Sequence, residues 1–160
     1  MNVRWGKAVF AGIAATAAMT VVGLYLAPMM RIPRMNPAAM LAGAMGGSVA
    51  LGWTGHFMIG TILAALYATI ATRLFGAPWL RGALYGVAPW LMAQLVVIPM
   101  MGMPVFSGSA VLAGGSLLGH LIYGSVVGTL YGAPAAPAGV RLGLTVPTVA
   151  PRRRSSAGSA

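Results

Sequence analysis

The sequence AVFAGIAATAAMTVVGLYLAPMM, residues 8 to 30, decides the fold class because its 23 positions contain no charged residue. A helix needs about 20 predominantly apolar residues to cross the roughly 30 Å of hydrocarbon in a bilayer. A secretory signal has an apolar core of roughly 7 to 15 residues with small residues after it, whereas the Ala-rich part here lies in the middle. The stretch therefore predicts a retained membrane span.

Two longer uncharged intervals follow, from Arg34 to Arg73 and from Arg81 to Arg141. The first contains one coherent apolar segment after a Gly-rich loop. The second is long enough for two spans, separated by a stretch rich in turn residues. The sequence therefore predicts an all-α membrane protein with four transmembrane helices in residues 1–132, at about residues 8–30, 53–72, 82–101 and 117–132.

Composition agrees with a membrane protein. Hydrophobic residues make up 59% of the chain and charged residues 6%, and the mean hydropathy is +0.86. Ordinary soluble domains are about one quarter charged, so this chain lacks the polar coat that a soluble fold requires. The final segment, residues 133–160, is rich in Ala, Pro, Gly and Ser, which predicts a disordered basic tail.

All ten charged side chains are basic, since the chain has no Asp or Glu. Four spans would place both termini and the middle loop on one side, together with eight of the ten basic residues. The positive-inside rule then predicts cytoplasmic N and C termini. The basic residues form no solvated stripe interleaved with aromatic residues, so we expect no nucleic-acid partner.

A pattern recurs in the two halves of the chain. The motif P-M-M-x-[IM]-P begins at Pro28 after the first predicted span and at Pro99 after the third. A Gly-His pair follows in each half, ending at His56 and His120, and each pair is followed by Gly, Leu and Tyr at matching spacing. We predict two repeated helical hairpins inserted in parallel, related by a pseudo-two-fold axis along the membrane normal.

Small residues follow each histidine in steps of four. Residues four apart share one helix face, and small side chains there let helices approach closely in lipid. Gln94 is the one amide inside a predicted span, and we predict that it lies in a polar interior. The predicted helix-packing residues are Gly60, Ala64, Gly124, Gly128 and Gly132.

Histidine and methionine are the residues of this chain that suggest ligand binding. An imidazole within a membrane needs a partner, either a carbonyl or polar neighbour, a metal or haem iron, or a proton relay. Eight of the twelve methionines gather at the predicted outer side, where thioethers favour Cu(I) but also fill irregular apolar space. The candidate metal ligands are His56, His120, Met29, Met30, Met100 and Met101.

The residue types that are missing restrict the chemistry. Without Asp, Glu or Cys the chain has no carboxylate pair, no Asp-supported triad and no thiolate nucleophile. It also has no phosphate-binding glycine motif. We therefore predict that the protein is not an enzyme and has no cofactor, with copper or haem as the alternative.

Four motifs resemble a family of small bacterial four-span membrane proteins classed as a domain of unknown function. They are GWTGHF at residues 52–57, RGALYG at 81–86, IPMMG at 98–102 and GHLIYG at 119–124. The resemblance covers residues 8–132. It implies the four-helix architecture and a bacterial inner membrane, and it implies no activity.

Three functional hypotheses follow from these observations. The first is a non-enzymatic accessory or scaffold subunit that packs against the lipid bilayer and against a membrane-protein partner or a second copy of itself. The second is copper or haem binding by histidine and methionine near the outer face. The third is transport of a small solute, which a parallel repeat favours.

Overall fold

The computed structural model describes residues 3–132, so the predicted tail lies outside the described residues. Four helices are long and apolar enough to cross a membrane, and no strand occurs within residues 3–132. The prediction of an all-α, four-span membrane protein is confirmed. The spans are α1 Trp5–Met29, α3 Val49–Arg73, α4 Pro78–Met100 and α5 Ala110–Tyr131, and a short α2 Pro37–Ala44 lies in the first loop.

All four spans begin earlier than their apolar stretches suggested, and serine side chains cap the first turn of two of them. The Ser48 hydroxyl accepts a hydrogen bond from the backbone of Leu51 at the start of α3. The Ser109 hydroxyl accepts one from Leu112 at the start of α5. Each cap satisfies a backbone N–H that would otherwise lack a partner in the first turn.

The four spans do not all pack closely against one another. Helix α1 packs against α3 and α5, α4 packs closely against α5, and α2 packs on α3, whereas α3 and α4 make few contacts. We call this loosely packed side the α3–α4 seam. The end of the bundle that holds residues 3–4 and 74–77 is called the terminal end. The opposite end, with residues 30–48 and 101–109, is the loop end.

Glycines bring the backbones of α4 and α5 into direct contact. A Cβ atom added at Gly82 would collide with the carbonyl of Gly124, and one added at Gly124 would collide with the carbonyl of Gly82. Gly86 faces the carbonyl of His120 in the same way. Van der Waals packing drives helix association in lipid, so such close approach stabilises the pair.

We expect Gly124→Ala to lower the free energy of unfolding by about 2 kcal/mol, because its methyl group would push the two backbones apart. Gly114→Ala is the matched control on α5, since no atom lies within 4 Å of a Cβ built there. Thermal unfolding in detergent, followed by circular dichroism, measures both. Equal melting temperatures for the two variants would contradict the importance of the α4–α5 contact.

Helices α1 and α4 end in the same way. Each contains a five-residue π-helical turn, at Val22–Leu26 and Ala93–Val97, followed by a proline. Proline has no N–H and its ring clashes with the carbonyl four residues earlier, so a wider turn accommodates it. The chain then leaves each helix through residues with positive φ, Arg31 at 61° and Gly102 at 80°.

The backbone hydrogen bonds identify these two ends as Schellman caps. Ile32 donates to the Ala27 carbonyl at 3.0 Å, and Met103 donates to the Ile98 carbonyl at 3.2 Å. The residue before each donor, at positive φ, donates three residues back. This pattern satisfies helix-terminal carbonyls that would otherwise be unpaired. The repeated P-M-M motif therefore has one local structure in both places.

Tyrosine hydroxyls join α4 and α5 to the backbone of α3. Tyr85 donates to the Leu63 carbonyl at 2.7 Å, Tyr123 donates to the Gly60 carbonyl, and Tyr131 contacts the Ala68 carbonyl at 3.5 Å. The Tyr67 ring packs edge-on against the rings of Tyr85 and Tyr131. We call Tyr67, Tyr85, Tyr123 and Tyr131 the tyrosine layer; it fills the terminal half of the bundle.

Arg81 is buried below the tyrosine layer without a carboxylate, since the chain has none. It donates to the Gly132 carbonyl at 2.9 Å and to the Ala71 carbonyl at 3.5 Å. Both acceptors lie at helix C-termini, where the helix dipole favours a positive charge. Helix ends therefore replace the anionic partner that a buried guanidinium normally has.

Candidate ligand site

A cavity of about 530 Å³ lies in the loop half of the bundle. All four spans contribute to its wall, and α2 and the loop before α5 cover it at the loop end. Its lining is mostly apolar and includes Ile59 and Leu63 of α3 and Ala93 and Val97 of α4. Ile59 is 42% exposed, so the cavity wall reaches the lipid-facing surface there. Small-molecule sites commonly enclose 300–1,000 Å³ with such a lining.

His56 lies on the cavity wall in a defined tautomer. Its Nε2 atom is 3.0 Å from the Thr20 hydroxyl oxygen. The single hydroxyl proton of Thr20 is already donated to the Thr16 carbonyl at 2.7 Å. Nε2 must therefore carry the proton and donate to Thr20, because a hydroxyl group has one proton to give. The Nδ1 atom of neutral His56 is left with a free lone pair.

His120 lines the same cavity in the opposite tautomer. Its Nδ1 atom is 2.8 Å from the Ser116 carbonyl, which can only accept a hydrogen bond. Nδ1 therefore carries the proton, and Nε2 has the lone pair. Neither free nitrogen forms a hydrogen bond to the described part of the chain. Two hydrogen-bond acceptors thus line one apolar space.

Gln94, which the sequence analysis assigned to a polar interior, also lines the cavity. It lies in the π-helical turn of α4 and is 1% exposed. Its Oε1 atom accepts a hydrogen bond from the Ser107 hydroxyl at 3.1 Å. The amide nitrogen makes no hydrogen bond to any described residue, so its two N–H groups remain available.

The structure separates the predicted metal ligands into two groups. Met101 lines the cavity with both histidines. Met29, Met30 and Met100 are 83%, 58% and 82% exposed, and none of them lines it. Equivalent positions of the repeated motif therefore differ, since Met101 lines the cavity and Met30 does not. Other methionines that the sequence analysis did not select line the cavity: Met19, Met35, Met40 and Met103.

The positions predicted to pack helices have different surroundings. Gly60 lies against Thr16 and Gly128 lies against Pro78, in each case with no space for a Cβ atom. Ala64 is fully buried between α1 and α3. Gly132 instead follows the last residue of α5 and has a φ of 80°, which is a helix-ending conformation. Gly124 lies against Gly82 of α4, also with no space for a Cβ atom.

The two histidines should give different nitrogen spectra. We expect ¹⁵N-histidine NMR of the detergent-solubilised protein, under mildly alkaline conditions, to show an Nε2–H tautomer for His56 and an Nδ1–H tautomer for His120. The variants His56→Gln and His120→Gln assign the two signals. A Thr20→Val variant should disturb the His56 signal alone, because it removes the acceptor of Nε2–H. Identical tautomers at both positions would contradict the hydrogen-bond pattern.

Comparison with known proteins identifies the family. The model of a family of unknown function, DUF6789, matches residues 3–141. This chain belongs to that family. No curated protein and no solved structure matches it. Membership therefore agrees with the resemblance seen in the sequence, and the description of the family gives no function.

Proposed function

We propose that this protein is a non-enzymatic, membrane-embedded binding protein that holds a lipophilic ligand in the cavity. The observation that carries the proposal is the presence of two unpaired imidazole nitrogens in one apolar cavity of about 530 Å³. Polar atoms without partners are costly in a low-dielectric interior, so a ligand that pairs with them would bind favourably. The α3–α4 seam offers such a ligand a route from the lipid.

Filling the cavity tests this proposal. A Cβ atom at Gly119 would meet only the Met19 methyl group, at 3.8 Å, so Gly119→Leu should occupy cavity space without displacing backbone. Gly114→Leu adds the same side chain outside the cavity. We expect mass spectrometry of organic extracts to find a ligand with wild type and Gly114→Leu, and at least about tenfold less with Gly119→Leu. Equal amounts in the two variants, or no ligand in wild type, would contradict the proposal.

Copper binding is the second candidate, and a specific observation favours it. The free nitrogens of His56 and His120 share the cavity with the thioethers of Met35 and Met101, which together form a donor set suited to Cu(I). Within residues 3–132, no group of three or more His, Cys, Asp or Glu residues is arranged to hold a metal ion. Stoichiometric copper in the purified protein would support this candidate, and a visible absorption band would indicate haem instead.

Transport of a small solute has less support. The cavity extends from the loop end to Leu63 and Tyr123, where the tyrosine layer begins. A solute crossing the membrane would have to pass the packed rings of Tyr67 and Tyr85, whose centroids are 5.2 Å apart.

The accessory or scaffold role stays a prediction, as does its association with a second copy of the chain or with another membrane protein. Such a role is compatible with a bound ligand.

We also propose a duplicated hairpin as the origin of the fold. The two Schellman caps and the two π-helical turns, each 71 residues apart, support this proposal. The packing is less symmetric than the sequence, since α1 packs closely on α5 while the corresponding pair, α3 and α4, does not. The α3–α4 seam is the place where the two halves differ most.

The proposed location is a bacterial inner membrane, with the terminal end in the cytoplasm. Arg4, Lys7, Arg73 and Arg81 lie at this end, against Arg31 and Arg34 at the loop end, and the positive-inside rule favours that orientation. Because the chain has no cysteine, single cysteine substitutions can report the orientation of the protein in the membrane. Met45→Cys should react with an impermeant maleimide on intact cells, and Phe75→Cys only after permeabilisation. Labelling in the reverse order would overturn the orientation.

A further inference from the structure

We propose that the ligand is an isoprenoid quinol, bound through its two hydroxyl groups. This inference rests on the proposed ligand-binding function and names its chemical class. Three of the polar groups that line the cavity lack a hydrogen-bond partner among the described residues: the lone pairs of His56 and His120 and the amide nitrogen of Gln94. The α3–α4 seam, where the two helices make few contacts, lies beside them.

The hydrogen-bonding groups of the cavity define the head group. Nδ1 of His56 and Nε2 of His120 can only accept, so the ligand has to donate twice. The amide nitrogen of Gln94 can only donate, so the ligand also has to present an acceptor oxygen. A pair of ring hydroxyls meets both conditions, because each hydroxyl donates one proton and retains lone pairs.

The charged residues of the chain argue against a cationic or an anionic head group. A cationic head group would enter an apolar cavity in a chain that has no carboxylate to pair with it. An anionic head group would bring its oxygens towards two nitrogen lone pairs, and the guanidinium that lines the cavity, on Arg34, is exposed at the loop end. A neutral donor is therefore the best match for the buried part of the cavity.

The apolar wall and its opening define the rest of the molecule. Thioethers of Met19, Met35 and Met101 line the cavity, and sulfur makes favourable contacts with aromatic rings. Ile59 of α3 and Val97 of α4 line the cavity on the two sides of the α3–α4 seam, and Ile59 is 42% exposed, so the seam is where a long hydrocarbon tail would extend into the bilayer. An aromatic diol with an isoprenoid tail combines all of these features.

The same geometry makes the site selective for the reduced form. A quinone has carbonyl oxygens where the quinol has hydroxyl groups, so its acceptors would face the acceptors of both histidines. Reversing the His120 tautomer would break its bond to the Ser116 carbonyl, and reversing His56 would leave its contact with Thr20 without a proton. The protein should therefore bind quinol in preference to quinone, without any chemical step.

Three matched compounds test the assignment: a quinol with one isoprene unit, the corresponding quinone, and the dimethyl ether of the quinol. The ether keeps the ring and tail but has no hydroxyl protons. Binding to the full-length protein in lipid nanodiscs is measured anaerobically by tryptophan fluorescence, since the Trp53 ring lies 6.2 Å from the His56 ring. Empty nanodiscs correct for partitioning. We expect the quinol to bind at least about tenfold more tightly than the ether or the quinone.

Substitutions connect this preference to the histidines. His120→Ala should reduce the preference for quinol over ether by about tenfold, because it removes one acceptor. The bond of His120 is to its own helix, so this variant should still fold. Thr54→Val, at an exposed position of α3, is the control and should bind like wild type.

The outcomes separate the two proposals. Equal binding of quinol and ether to wild type would overturn the quinol assignment while leaving a lipophilic ligand site in place. Preferred binding of the quinone would overturn it as well. If none of the three compounds binds although Gly119→Leu loses a co-purified ligand, the quinol assignment fails and the cavity function stands. If that ligand is also missing from wild type, both proposals fail.

Discussion

The bilayer core contains no water to satisfy a polar group, and most of this structure follows from that constraint. Backbone groups pair within helices, and serine N-caps and Schellman caps satisfy backbone groups at the helix ends. Tyrosine hydroxyls find carbonyls of α3, and the Arg81 guanidinium finds the ends of two helices. Against that background, the free nitrogens of His56, His120 and Gln94 are exceptions, and they line the same cavity. Exceptions gathered in one place indicate a site rather than defects of packing.

Two other buried polar atoms without a hydrogen bond lie outside the cavity, and their surroundings explain them. The Tyr67 hydroxyl and the Nε atom of Arg81 are buried without a hydrogen bond of ordinary geometry. The two side chains lie next to each other, so a small adjustment would pair them. They also lie in the terminal half, and neither residue lines the cavity. The cavity differs because its polar atoms face open volume.

The sequence predicted the four spans, because they depend on local composition. It did not predict α2, which brings Met40 to the cavity, since an eight-residue helix in a loop has no distinctive apolar period. It also selected Met29 and Met100 as candidate ligands, whereas both are exposed and lie outside the cavity lining. The α3–α4 seam depends on how the two hairpins pack against each other. That packing could not be predicted from the sequence of either hairpin alone.

The tyrosine layer has a consequence for molecules that enter the cavity. With the terminal half of the bundle filled by aromatic rings, the cavity is closed towards that end, so the route proposed at the α3–α4 seam would lead to a single leaflet. A ligand that enters the cavity has to leave on the side from which it entered. Occupancy would therefore report the concentration of that ligand in one leaflet, and the barrier between the two faces of the membrane would stay intact.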